Sequence, residues 1–309
     1  MITETPLFHA IFEVFFCLFI CTMFAFDTIL LLATLAAKKD PHIPFAYIIV
    51  MTTSGILGKV VYLLDFISHL ILPLELYGKY RLVMGKEVSF LTTWTYYVVI
   101  LVSVLMTIHR LFALIRPFNV RVFSRKRIFG YSGGIALISG VIFIIPVYST
   151  CPRNFDAGKM AFTSDCTHFL NAMVDDYFFF IVILLFLINC TLVIYVKISR
   201  RSQVNPSTSL SESQKRREQV LTLQAIGLSL FLSIYEVGKF LMFKFPDAYY
   251  SLPPVITQIY VYIRFMSVPA INFYVYYVQS VTGRRIVNRY LKIGNFPKTV
   301  YVTNNSLNS

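Results

Sequence analysis

Long apolar runs alternate with short polar ones along the whole chain. Seven such runs cover roughly 11–37, 45–71, 90–115, 129–148, 177–198, 220–243 and 255–277. Each has the ~20 residues an α-helix needs to cross a bilayer core. In lipid the backbone must satisfy its own hydrogen bonds, so the runs predict helices. The pattern therefore predicts an all-α membrane protein: a seven-transmembrane helix bundle, one domain over 1–309, with 278–309 as its tail. Within the tail, 281–292 reads as a short amphipathic helix. Ile286, Val287, Tyr290 and Leu291 make one face, and Arg284, Arg285, Arg289 and Lys292 the other. Such a helix lies along a membrane surface. The first run reads as a signal anchor, because residues 1–10 hold no Lys or Arg and the run is too long for a signal-peptide core.

Composition agrees with the pattern. Apolar and aromatic residues make up 57% of the chain, charged residues 14%, and mean hydropathy is +0.67. A soluble domain carries about 25% charged residues, so a disordered chain, a disulfide-rich secreted module and an ordinary cytosolic enzyme are all excluded. The net charge of +13 then bears on topology rather than on nucleic acid, which is not an expected partner. Eighteen Lys and Arg fall on one side of the runs, at Lys38, Lys39, 116–127, 197–217 and 284–298. Six fall on the other: Lys79, Arg81, Lys86, Arg153, Lys159 and Lys244. The positive-inside rule makes the richer side cytoplasmic and the N-terminus external, in a multi-pass protein of the plasma membrane. Insect-type odorant channels have the opposite orientation, so the count argues against them.

The third run ends in Met106-Thr-Ile-His109-Arg110-Leu111-Phe-Ala-Leu114-Ile-Arg-Pro117. Read alone, Arg110 is a side chain snorkelling at the end of a span. At the inner end of the third of seven helices, Arg110 with Pro117 seven residues later resembles the Asp-Arg-Tyr…Pro element of G-protein-coupled receptors. There are departures from the rhodopsin-like pattern. His109 replaces the acid, no Cys lies at the outer end of the third run, and the fifth and sixth runs hold no Pro. Ser267-Val-Pro269-Ala-Ile-Asn272-Phe-Tyr274 only loosely resembles Asn-Pro-x-x-Tyr, although Pro269 predicts a kink.

With these departures the chain resembles the nematode serpentine chemoreceptors, and within them the Srg-like superfamily, class gamma, class V and related classes. The resemblance implies a chemosensory receptor for a small, odorant- or pheromone-like molecule, coupled to a heterotrimeric G protein. It implies a ligand cavity between the third, fifth, sixth and seventh helices. It also implies a coupling surface comprising His109, Arg110, Pro117 and the basic run Lys215, Arg216 and Arg217. A seven-span transporter or ligand-gated channel is the alternative. Intramembrane charges suit an ion path, but the sequence holds no inverted repeat and no pair of Gly/Pro-broken spans.

Eight ionisable residues sit within the runs besides His109 and Arg110: Glu13, Asp27, Lys59, Asp65, His69, Glu236, Lys239 and Arg264. Lipid exposure at mid-depth costs each several kcal/mol, so they are expected to face the bundle and pair. Glu236 and Arg264 both lie about 12–14 Å below the outer ends of their helices, which predicts a pair. Asp27 and Lys59, on adjacent runs, predict a second. Such pairs serve as glue between helices. Alternatively Glu236 and Arg264 line a ligand cavity in which Arg264 takes a carboxylate or other anion, with Asp65 and His69 at its rim.

The seventh run has no Lys, so a retinal Schiff base is excluded; Arg264 cannot act as the amine. The third run has no acid to act as counter-ion for an amine ligand. No cofactor and no metal is expected, since CxxC and Cys/His spacings are missing. Ser103 and His109 lack a third partner, which argues against an enzyme. Cys151 and Cys166, the two cysteines outside apolar runs, either bridge each other to close a lid or stay free thiols. Closing a loop of that size stabilises by about 3 kcal/mol in the chain-entropy model. Trp94, Tyr96, Tyr97, Tyr249 and Tyr250 read as an interfacial belt.

Overall fold

The computed structural model describes residues 6–38, 45–115, 122–148, 153–156, 161–164, 169–202 and 212–293. Four helices come first: α1 (Pro6–Ala36), α2 (Phe45–Ile71), α3 (Leu74–Ile115) and α4 (Arg125–Val147). Strands β1 (Arg153–Asp156) and β2 (Ala161–Ser164) follow, then α5 (Phe169–Ser202) and α6 (Glu212–Lys244). One-turn α7 (Pro246–Tyr250) leads to α8 (Pro254–Phe273), a π-helical turn (Tyr274–Val278) and α9 (Val281–Tyr290). Seven of these helices are long, one for each apolar run.

The bundle is apolar outside, and its apolar core also holds buried charges. Leu18 on α1, Leu137 on α4 and Phe180 on α5 are 63%, 69% and 57% exposed. Glu13, Asp27, Lys59, Asp65, Glu236, Lys239 and Arg264 are all buried. Water would drive the opposite arrangement, whereas a hydrocarbon surround produces this one. Among the described residues, five helices are long and apolar enough to cross a membrane: Ile11–Ala36, Phe45–Ile71, Leu74–Phe112, Arg125–Val147 and Tyr177–Tyr195. The other two long helices, α6 and α8, carry Glu236, Lys239, Arg264 and Asn272 inward.

The third helix differs most from expectation. It starts at Leu74 rather than near 90 and runs for 42 residues. At 1.5 Å per residue this is about 63 Å, twice the thickness of a hydrocarbon core. The added segment is more polar than the rest of the helix. It is nevertheless rich in Leu, Glu, Lys, Arg and Met, which favour helix. Pro73 starts it, with its carbonyl accepting from Tyr77 N at 2.9 Å. As a result, residues 94–97 lie about 30 Å along the helix and belong to the interior, not to an interfacial belt. Tyr97 is buried, stacked on Phe143 at 4.4 Å and edge-on to Phe178 at 4.3 Å. Trp94 donates Nε1–H to the Ala136 carbonyl at 2.8 Å.

The hairpin is the second addition to an otherwise helical fold. β1 and β2 pair antiparallel from Arg153↔Ser164 to Asp156↔Ala161, and β1 packs against α3. Four-residue strands carry too short an alternation to stand out from loop sequence.

The end of the seventh long helix follows from two residues. Pro269 has no N–H to give the preceding turn. Five residues later the helix widens, and Gln279 N reaches back to Tyr274 O at 2.9 Å. Ser280 then caps α9, accepting from Gly283 N at 3.0 Å. A Cβ at Gly283 would collide with the Tyr276 carbonyl, so only glycine lets α9 fold back there. The expected amphipathic helix is present. Ile286 and Val287 are buried, while Arg284, Arg285 and Arg289 face outward. Tyr290 and Leu291, expected on the buried face, are exposed.

Candidate ligand cavity

A cavity of about 150 Å3 lies between α2, α3, α6 and α8. α2 contributes Ser54, Gly55, Lys59 and Tyr62, and α3 contributes Thr92, Thr95 and Tyr96. Tyr235, Glu236 and Lys239 come from α6, and Arg264 and Asn272 from α8. The four helices differ from the expected set. α5 supplies no lining residue and α2 takes its place. Aromatic packing explains the exchange: Phe178 fills the gap between α3 and α5, and Phe179 of α5 stacks on Phe240 of α6 at 4.3 Å.

At one wall is a closed ion pair. Lys59 Nζ donates to Asp27 Oδ2 at 2.5 Å, and Asn272 Nδ2 donates to the same oxygen at 2.9 Å. This joins α1, α2 and α8, as the depth of Asp27 and Lys59 predicts. Gly55 makes the approach possible. A Cβ there would lie 2.7 Å from Asp27 Oδ2 and 2.8 Å from Asn272 Nδ2.

The pair expected between Glu236 and Arg264 is not a contact pair. Both residues line the cavity, but each is held by something else. Glu236 Oε1 accepts from the Tyr96 hydroxyl at 2.8 Å, and its Oε2 is buried with no hydrogen-bond partner among the described residues. The Arg264 guanidinium, 8% exposed, lies 4.6 Å over the Tyr235 ring and 5.1 Å from that of Phe265. Its Nη1 points to Met242 Sδ at 3.0 Å. Among the described residues, no carboxylate lies within ion-pair distance of Arg264. Depth along the helices was matched correctly, but the Tyr96–Tyr235 pair, 4.9 Å between rings, takes up both residues.

Asp65 does not line this cavity. It is buried on α2 one turn from His69, which meets Glu13 of α1 at 3.3 Å and the Tyr77 ring at 4.7 Å. Glu13, His69 and Tyr77 join α1, α2 and the added segment of α3. Lys59, Asn272, Tyr96 and Tyr235 are the lining residues that depth arithmetic missed as site residues. Their common signal is a polar or aromatic side chain on the interior stripe of its helix, readable only once α3 is placed in full.

At the other end of the bundle, Arg110 is buried. Its neighbour His109, standing where an acid was expected, accepts from or donates to the Tyr47 hydroxyl at 3.1 Å and stacks on Phe123 at 4.4 Å. It thus joins α3 to α2 and to the segment before α4. Arg125 lies 3.4 Å over Phe45 and donates to the Lys38 carbonyl, bringing basic residues of two connections together. A chain of contacts runs from the cavity toward this end. Asn272 donates to the Met51 carbonyl at 3.4 Å, and the Tyr276 hydroxyl donates to Met51 Sδ at 3.2 Å. Pro117, Cys151 and Cys166 lie outside the described residues. Lys215, Arg216 and Arg217 lie on α6, and their side chains are outside the described set.

Two comparisons with known proteins bear on the chain. Residues 42–190 match the family described as Caenorhabditis serpentine receptor-like protein, class xa. Over 286 residues the chain is 26% identical to "Serpentine receptor class XA 10" of Caenorhabditis elegans, covering 86% of this chain and 85% of that protein. The likeness to nematode serpentine receptors read from the sequence is supported by both. The class they name is xa, however, not class gamma or class V. The relatives are receptors by name rather than enzymes.

Proposed function

We propose that this chain, similar to serpentine receptors, is a chemosensory receptor of the plasma membrane. Seven helices span the bilayer with the N-terminus outside, within a single domain. A small molecule binds in the cavity between α2, α3, α6 and α8, and the receptor activates a heterotrimeric G protein at its basic end. The observation that carries this reading is a buried, charged cavity inside a bundle whose outer surface is apolar. Such a cavity needs an occupant able to meet fixed charges in a dry surround.

The ligand favours one arrangement of the bundle over another and shifts the population toward it. Lys59 and Asn272 belong both to the cavity wall and to the Asp27 cluster, and Asn272 leads through Met51 to Tyr276. A change at the wall is thereby felt at the π-helical turn and beside Arg110. The active arrangement opens a crevice there, lined by Arg110, His109 and the start of α6 with Lys215, Arg216 and Arg217. Pro117 belongs to the same proposed coupling surface. The coupling is reciprocal, so a bound G protein raises ligand affinity. The test is ligand-stimulated nucleotide exchange on a Gα subunit by the purified receptor. Arg110→Ala is expected to abolish it while surface expression persists. Full exchange by this variant, or ligand-gated current without any G protein, overturns the reading in favour of a channel or transporter.

The hairpin bears on the two outer cysteines. The reading includes a Cys151–Cys166 bridge, between the two cysteines that flank the hairpin in sequence. Peptide mapping without reductant tests it, and two free thiols in the surface-expressed receptor overturn it.

A further inference from the structure

The cavity holds two opposite charges that do not meet. Glu236 and Arg264 are both buried and both line it, yet neither lies within ion-pair distance of the other. Asp27 and Lys59 neutralise each other at the adjacent wall. Burying an ion without a counter-charge is costly. A plain carboxylate would answer Arg264 but bring a second negative charge toward Glu236. A plain amine would answer Glu236 and repel Arg264. One molecule bearing both charges satisfies both ends.

Resting on the reading of this cavity as the ligand site, we infer that its ligand is a small zwitterion of the amino-acid type. Its carboxylate binds Arg264, whose planar guanidinium offers Nε and the terminal nitrogens as parallel donors. Its ammonium donates to Glu236 Oε2, the carboxylate oxygen that Tyr96 leaves open. Tyr62 and Tyr96 also line the cavity and offer it aromatic surface, which favours a cation. Lys239, one turn beyond Glu236 on α6, also lines the cavity.

The experiment is thermal stabilisation of the full-length receptor in lipid nanodiscs, which needs no G protein. Probes are glycine, β-alanine and γ-aminobutyrate, each beside its matched carboxylate (acetate, propionate, butyrate) and matched amine (methylamine, ethylamine, propylamine). At least one amino acid is expected to stabilise the receptor at concentrations about tenfold or more below those needed for its matched acid and amine. Glu236→Gln is expected to erase the preference for the amino acid over its carboxylate while still binding the carboxylate. That retained binding shows the variant is folded. Arg264→Gln is expected to abolish carboxylate binding. A carboxylate or an amine that binds as well as its amino acid overturns the inference, as does silence from all three amino acids. Nucleotide exchange with Arg110→Ala tests the receptor reading separately, so the two can fail independently.

Discussion

Two pairs of buried charges lie in the same bundle, and they are built differently. Asp27 and Lys59 are closed on each other at 2.5 Å, with Asn272 donating to the same oxygen and the other carboxylate oxygen left without a hydrogen-bond partner among the described residues. Glu236 and Arg264 are comparably buried and were equally matched in depth, yet they are held apart by Tyr96, Tyr235 and Met242. A closed pair fastens helices, whereas an open pair leaves charge for something else to neutralise. Equal depth along two helices is therefore necessary for an ion pair but does not make one. Rotation about each helix axis, and the bulk of the residues between, decide whether the ends meet.

The comparison breaks most clearly at the closed pair. Lys59→Met leaves Asp27 buried without its cation, and Asp27→Leu does the reverse. Each is expected to destabilise the protein by about 3–5 kcal/mol, read as a fall in melting temperature in nanodiscs and a loss of surface expression. The double variant is expected to recover most of that loss. A double variant as unstable as either single would mean the pair's geometry matters more than its charge balance.

Gly55→Ala comes next. Its new Cβ would press on Asp27 and Asn272 at once, and the same melting assay is expected to show a loss of about 1–3 kcal/mol. An unaffected melting temperature would show that the cluster has slack that the contacts do not suggest. Tyr96→Phe removes the donor to Glu236 Oε1. It is expected to cost about 1–2 kcal/mol, because a buried carboxylate oxygen loses its bond. The smallest effect is expected at the open pair. Arg264→Gln, with no contact carboxylate to strand, is expected to change the stability of the protein without added ligand by less than about 1 kcal/mol. A loss as large as that of Lys59→Met would show that Arg264 is structural glue and erase the contrast.

Much of this architecture was legible in residue order. The apolar runs located the seven long helices, five of which are, among the described residues, long and apolar enough to cross a membrane. The inward turn of the ionisable residues followed from the same cost. The amphipathic face of 281–292 predicted α9, and the Asp27–Lys59 pair followed from depth. The likeness to serpentine receptors was legible in His109–Pro117, whereas class xa was not, since a motif this short does not separate classes.

What residue order left open depends on how helices lie against one another. The polar first third of α3 looks like a loop, because hydropathy marks solubility in lipid and says nothing of whether a helix continues beyond it. That extension moved Tyr96 and Tyr97 from a supposed surface belt into the interior, and with Tyr96 it set one wall of the cavity. α2 in place of α5 at the cavity, Asp65 away from it, and the parting of Glu236 from Arg264 were all decided by side-chain packing between helices distant in sequence. Composition and periodicity act along one chain and determined that there is a seven-helix bundle with charges inside. Which of those charges meet is a property of angles between helices, and only the tertiary structure contains those.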